Sequence, residues 1–257
     1  MIAALPMYDN AATMAANDRY WALIADELHH RGILAPASLR RGDADLMMHW
    51  LHPDLLLSQT CGFPFRARLH DRVTLIGTPD FGVEVCPPGH YRSVLIVRAD
   101  DPRPGLAAFD GARLAYNDAL SQSGWAAPQT FARDRGITLQ PGPCTGAHSQ
   151  SLLAVAQGRA DIAALDAVTW SLLAEADPAT AAQVRILDHT PPTPGLPYIT
   201  AQGRDPAPLF DAIAAAIPRL SPEDRTRLRL RGLVRIPAAA YLAVPTPPAP
   251  ALVEARI

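Results

Sequence analysis

Short apolar runs alternate along this chain with stretches whose apolar residues recur at helical spacing. Residues 2–7 read as a short apolar strand, and Trp21, Ile24 and Leu28 then fall on one face of a helix that Asn17 caps and Gly32 ends. Residues 55–58 and 73–77 are apolar runs too brief for helices, bounded by Pro53, Gly62, Pro64 and Pro79, and they predict buried strands of a parallel or mixed sheet. Residues 94–98 predict another strand, and the turn-rich run Asp100-Asp101-Pro102-Arg103-Pro104-Gly105 breaks the pattern after it.

The strand-helix rhythm then restarts. Strands are expected at 113–116, 138–140, 161–165 and 184–187, and helices after Ser123, over 149–157 with Leu152, Val155 and Ala156 on one face, and over 167–174. The segment Thr190-Pro191-Pro192-Thr193-Pro194-Gly195 is a second break. Beyond it come an apolar run at 198–200, a helix opening at Asp205-Pro206 with Leu209, Ile213 and Ile217 in line, and another opening at Ser221-Pro222. The Pro-rich stretch 245–250 reads as an extended tail or strap.

Two breaks between repeats of the same rhythm predict two α/β lobes. Residues 1–98 and 196–257 form a discontinuous first lobe, and residues 99–195 form the second. A chain that crosses between lobes twice would line a cleft with loops from both, and ligands of open α/β sheets bind outside the carboxyl ends of the strands.

Composition narrows the chemistry. The 257 residues are 49% hydrophobic and 19% charged with a formal net charge of −2, which marks no nucleic-acid-coating, disordered or membrane-surface protein. All 23 basic residues are arginines. Without lysine there is no pyridoxal Schiff base and no Walker A loop, and no dinucleotide fingerprint, nucleophile elbow or H-E-x-x-H zinc motif is present, so no cofactor is expected. No run reaches the roughly 18 apolar residues of a membrane span. The opening MIAALPMYDN shows no basic and apolar leader pattern. Cys61, Cys86 and Cys144 are odd in number and lack C-x-x-C spacing, which favours free thiols, with a Cys61–Cys86 bridge as the alternative. His49 and His52 share helical spacing, but no cluster of acids or thiols completes a metal site.

The polar residues at expected strand ends are the candidate site. Asn117 and the run Ser121-Gln122-Ser123-Gly124 follow the strand ending at Tyr116, where hydroxyls, backbone N–H groups and the positive end of a helix dipole suit a phosphate-like anion. The competing reading of that run is an ordinary serine cap. Thr145 and His148 stand at a second strand-to-helix junction, and Asp166 at a third, where it either holds a ligand amine or caps the next helix. In the first lobe Tyr8 follows the first strand, Gln59 and Thr60 follow the second, and Tyr91 with Ser93 lies just before the crossover strand. No activated nucleophile or acid-base pair emerges, so no catalytic residue is assigned.

Taken together, Leu5-Pro6-Met7-Tyr8-Asp9, the run from Pro53 to Gly62, Gly77-Thr78-Pro79, Tyr91-Arg92-Ser93, Asn117 with Ser121-Gln122-Ser123-Gly124, and the run from Ala160 to Asp166 resemble the phosphate, phosphite and phosphonate substrate-binding proteins of ABC transporters. The resemblance implies the type-II periplasmic-binding-protein fold, a two-lobed α/β architecture with a ligand cleft between the lobes, and no enzymatic activity. It implies that Ser121, Ser123 and Gly124 match the family's Ser-x-Ser-Gly anion loop and that Tyr91 and Asp166 occupy matching ligand positions. Gln122 departs from the small hydroxyl residue common there. A small anionic ligand and an ABC permease are the implied partners, with neither nucleic acid nor a membrane-spanning segment. The implied location is periplasmic, although the missing leader pattern leaves the cytoplasm open. The competing function is an enzyme or sensor on the same fold, of the pyrimidine-synthesis or menaquinone-pathway type.

Overall fold

The computed structural model describes residues 1–42 and 45–250, and in chain order the elements follow the alternation of the sequence. The first stretch contains β1 (Ile2–Ala4), α1 (Met14–His30), α2 (Leu46–Trp50), β2 (Leu55–Gln59), α3 (Gly62–Pro64), which continues into a π-helical turn (Phe65–Leu69), and β3 (Val73–Asp80). The middle of the chain contains β4 (His90–Tyr91), β5 (Ser93–Arg98), a 3-10 turn (Leu106–Phe109), β6 (Arg113–Tyr116), a π-helical turn (Gln122–Ala126) running into α4 (Ala127–Arg133), β7 (Gln140–Cys144), α5 (His148–Ala156), β8 (Ile162–Asp166), α6 (Ala167–Ala176), α7 (Pro178–Ala181), β9 (Val184–His189) and β10 (Thr193–Pro194). The last elements are β11 (Tyr198–Ala201), α8 (Ala207–Ala216), α9 (Pro222–Leu228), β12 (Gly232–Val234) and α10 (Ala238–Leu242).

Two compact units result. The first comprises Met1–His90 and Pro194–Ala243, and the second comprises Tyr91–Thr193 with residues 244–250 of the tail. The boundaries differ from those expected at three places: residues 91–98, residues 194–195, which join the first unit, and the tail. Residues 93–98 were expected in the first lobe, yet β5 hydrogen-bonds to β8 and β9 and is a central strand of the second unit. The tail was also expected there, but its residues 244–250 belong to the second unit, where Pro247 is buried and the Pro248 carbonyl accepts the Trp125 indole N–H at 3.0 Å. Residues 251–257 of that expectation lie outside the described residues.

The first unit has a five-stranded sheet in the order β1-β2-β11-β3-β12. The pair β1 and β2 is parallel, and β11 runs antiparallel to both β2 and β3, so the chain returns to this sheet after visiting the second unit. One face is covered by α1 and α8, whose Tyr20, Trp21, Ile24, Leu209 and Ile213 close a core with Leu56 and Leu57 of β2. The Trp21 N–H donates to the Pro36 carbonyl at 3.0 Å, which lets the ring be buried without an unmet donor. The other face is covered by Trp50, Phe65, Leu69 and Tyr241. The helix expected behind Asn17 starts earlier, at Met14 after Thr13, and Asn17 instead donates its amide to Asp9 Oδ1 at 3.0 Å.

The second unit has its own five-stranded sheet in the order β7-β6-β8-β5-β9. β6 is parallel to β7 and β8, while β5 is antiparallel to β8 and β9. Along β5 alternate residues serve opposite faces: Val94 and Ile96 pack with Leu152 and Val155 of α5, and Ser93 faces the π-turn that leads into α4. The strand expected at 138–140 is displaced to Gln140–Cys144, across Pro141 and Pro143. A proline cannot donate to a ladder, and β7 tolerates two because it is the edge strand.

Candidate functional site

The strand directions of the second unit gather its polar residues at one edge of the sheet. The carboxyl ends of β6, β7 and β8 lie there together with the start of β5, because β5 is antiparallel to β8 and pairs Ser93 with Asp166. Asn117, Thr145, Asp166 and Ser93 therefore occupy one line, and the helices that follow the parallel strands begin beside it.

The serine loop is held by its own backbone. Ser121 N–H donates to the Asp118 carbonyl at 3.1 Å, and the Ser121 side chain accepts the Gly124 N–H at 2.9 Å. A hydroxyl that accepts keeps its proton, so Ser121 can still donate to a ligand. The next helix opens with a π-turn, Gln122–Ala126, and continues as α4. Ser121, Gln122 and Ser123 are all buried. At the head of a helix the first N–H groups have no carbonyl one turn earlier to pair with, which makes this an electropositive end.

Gly124 is required by close approach. A Cβ at this position would stand 2.0 Å from Asn117 Oδ1 and 3.2 Å from Ser121 Oγ. Asn117 Oδ1 is itself buried without a hydrogen-bond partner. Ser123 Oγ lies 3.0 Å from His148 Nε2, and the Ser123 carbonyl accepts from Ser93 Oγ at 3.0 Å. Burial lowers the His148 pKa to about 4, so the imidazole is neutral at pH 7. Its Nδ1 is a second buried atom without a partner. In the tautomer that carries the proton on Nε2, His148 donates to Ser123 and leaves the serine proton for a third group.

The second junction is bound to the first. Thr145 N–H donates to the Tyr116 carbonyl at 2.8 Å and Gly146 N–H to the Asn117 carbonyl at 3.0 Å, so the two loops run side by side. Thr145 Oγ1 lies 2.7 Å from Ser151 Oγ and also within reach of the Tyr116 and Ala147 carbonyls, which ties its hydroxyl to the loop. At the third junction Asp166 Oδ1 accepts the N–H groups of Val168 at 2.7 Å and Thr169 at 3.0 Å, the geometry of a helix N-cap. Tyr91 is buried at the end of β4.

The first unit uses its candidates differently. Gln59 Nε2 donates to the Leu196 carbonyl at 3.2 Å, and the Gln59 carbonyl accepts from the Trp50 indole at 3.1 Å. Thr60 N–H donates to the Pro197 carbonyl at 3.0 Å, and Tyr8 meets Phe81 edge-on with ring centroids 4.9 Å apart. These residues tie β2 and the first loop into their own unit. Sequence reasoning did not enlist Trp125, whose ring lies 4.9 Å from that of Tyr116 behind the serine loop. An apolar aromatic at a helix start carries no signal of its own.

Among the described residues Cys61, Cys86 and Cys144 form no disulfide. Among the described residues the grouping of metal-type side chains is Asp26, Glu27 and His30, whose acids already pair with Arg219 and Arg31. Among the described residues no helix is long and apolar enough to cross a membrane.

Two α/β units, each with a mixed five-stranded sheet, and a serine loop at a strand end give the fold of the type-II periplasmic binding proteins. Residues 65–240 match the family of periplasmic phosphonate substrate-binding proteins of ABC transporters, and the chain belongs to that family. Among solved structures it is similar to XAC2383 from Xanthomonas citri bound to chloride, at 17% identity over 95% of this chain and 98% of that one, with a TM-score of 0.69. It is similar also to PhnD1 from Prochlorococcus marinus in complex with methylphosphonate (16% identity, 88% and 90% covered, TM-score 0.67). A third is the binding-protein component PA3383 of a phosphonate transporter from Pseudomonas aeruginosa (16%, 91% and 80%, TM-score 0.60). No curated protein matches the chain.

Proposed function

We propose that the chain captures a small phosphonate-type oxyanion at the serine loop of the second unit and presents it to an ABC permease, in the periplasm. The observation that carries this reading is the pair of buried serine hydroxyls, Ser121 and Ser123, at the head of a helix whose Gly124 leaves no room for a Cβ. Asn117 Oδ1 and His148 Nδ1, buried beside the loop without partners, are acceptors and suit a proton carried by the ligand rather than its charged oxygens. The donors are Ser121 Oγ, Ser123 Oγ and the leading N–H groups of the helix, with the Asn117 amide group at the side. Gln122 belongs to this loop, and Thr145 and His148 hold its second wall. Tyr91 is proposed as an outer contact, while Tyr8, Gln59 and Thr60 serve the frame of the first unit.

Dipoles and neutral donors do the work here. A tetrahedral oxyanion fits such a set because its oxygens accept several bonds each and the helix end offsets part of its charge. Methylphosphonate is favoured over phosphate on the family likeness and on the complex named for PhnD1. Asp166, as a cap, is a boundary of the site.

Calorimetric titration with methylphosphonate, phosphite and phosphate tests this. Methylphosphonate should bind most tightly, and the Ser121→Ala, Ser123→Ala double variant should lose at least about 100-fold in affinity while melting at the same temperature without ligand. Absence of heat with all three anions, or unchanged affinity in the double variant, would overturn it.

A further inference from the structure

We infer that Arg92 is a further ligand-binding residue that selects for a second anionic group on the ligand, so that the favoured class is a phosphonate bearing a carboxylate rather than one bearing an amine; this rests on the proposed anion site at the serine loop. Arg92 lies between β4 and β5 at the sheet edge that carries Asn117, Thr145 and Asp166. Its carbonyl accepts the N–H of Ala167, the first residue of α6, at 3.1 Å, and its neighbour Ser93 touches the Ser123 carbonyl at 3.0 Å. It stands one residue from the serine loop's own support.

The side chain is half-buried, and its Nε is buried with no hydrogen-bond partner. Arg19, Arg31, Arg41, Arg98, Arg103, Arg113 and Arg219, by contrast, are paired with carboxylates. A guanidinium drawn partly out of water without an acceptor costs free energy that an anion would return. The chain has no lysine, so a second ligand charge at this edge falls to an arginine.

The nearby groups agree with an anion. His189, opposite Val94 on the neighbouring strand, has its pKa lowered by burial and then by the charge of Arg92, although Asp188 opposes this. Asp166, the acid that an amine would seek, spends one oxygen on two backbone N–H groups of α6. From Asn117, just after β6, to Arg92, just before β5, the edge crosses two strand spacings, about 10 Å, which a two-group ligand and an extended arginine span together. The planar fork of the guanidinium matches a carboxylate with two parallel bonds.

The test is titration of the whole chain and of Arg92→Gln and Arg92→Lys with phosphonoacetate, methylphosphonate and 2-aminoethylphosphonate. The wild type should prefer phosphonoacetate. Arg92→Gln should weaken phosphonoacetate by at least about tenfold and methylphosphonate by less than about threefold, and Arg92→Lys should recover part of the loss, as expected for a bidentate charged pair. Arg92→Lys also keeps the charge if the glutamine variant fails to fold, and its loss should then appear with phosphonoacetate alone. Equal losses for all three ligands, or tighter binding of the amine by the wild type, would overturn the role of Arg92 while leaving the serine loop in place. A wild type that binds none of the three would overturn the anion site itself.

Discussion

Both units send the chain from a strand through a short polar loop into a helix with a π-wound turn, at 58–69 in the first and 116–133 in the second. In the first, the loop spends its polar groups on its own frame: Gln59 bonds to Leu196, Thr60 to Pro197, and Trp50 to Gln59. Its helix begins after Cys61 with no side-chain cap, and a Cβ on Gly62 would stand 3.7 Å from the Tyr241 ring, an ordinary contact distance. In the second, Ser121 caps the helix, Gly124 is pressed against Asn117, and two buried polar atoms have no partner. The same local motif is scaffold in one unit and proposed receptor in the other. What separates them is whether the chain itself answers the polar groups it buries.

The sharpest way to break this comparison is to add one methyl group to each glycine. Gly124→Ala forces Asn117 aside and should lower methylphosphonate affinity by at least about 100-fold, whereas Gly62→Ala should leave it within about twofold. Calorimetry on the two variants decides it, and equal effects would erase the distinction.

Removing one hydroxyl from each loop is the next test. Ser123→Ala should weaken the anion by about 10-fold to 100-fold, the range for one hydrogen bond to a charged group, and Thr60→Ala should change affinity little. A loss at Thr60 equal to that at Ser123 would bring the first unit's loop into the site as a full partner.

Acidity should act on the second unit through His148. Its folded pKa of about 4 lies below the ordinary value of 6.5, so protons bind the unfolded chain first as pH falls. The stability of the neutral, buried ring is fully present above pH 6.5 and is lost progressively between about 6.5 and 4. Melting temperatures across that window should drop, and His148→Gln should flatten the slope; an unchanged slope would place the acid sensitivity elsewhere.

The smallest effect is expected at the helix caps. Asp166→Ala removes the acceptor of two N–H groups and Ser221→Ala the cap of α9 in the first unit, and each should cost about 1 kcal/mol in chemical denaturation. If Asp166→Asn in addition weakened an amine-bearing ligand and spared methylphosphonate, the aspartate would be more than a cap.

The reading of strands from short apolar runs succeeded where those runs were buried on both faces, as at β2, β6 and β8, because there burial and periodicity demand the same residues. It slipped at β7, where prolines argued against a strand and the edge position allowed one. It missed α2, α10 and the helix that starts at Gly62, which are too short to show a period. The lobe boundary was misplaced for a similar reason: an apolar strand such as β5 fits either sheet, and only its partners β8 and β9 assign it.

The site divides in the same way. The serine run, the glycine after it and the strand before it identified an anion-type loop from sequence, because helix heads and hydroxyls advertise themselves locally. That Thr145 and Asn117 share one backbone ladder, that His148 is buried against Ser123, and that Arg92 has a buried nitrogen without an acceptor required the fold. Residue type and spacing determine which groups a chain can offer. Which of them are spent inside the protein depends on contacts between residues far apart in sequence, and these exist only once the sheets have formed.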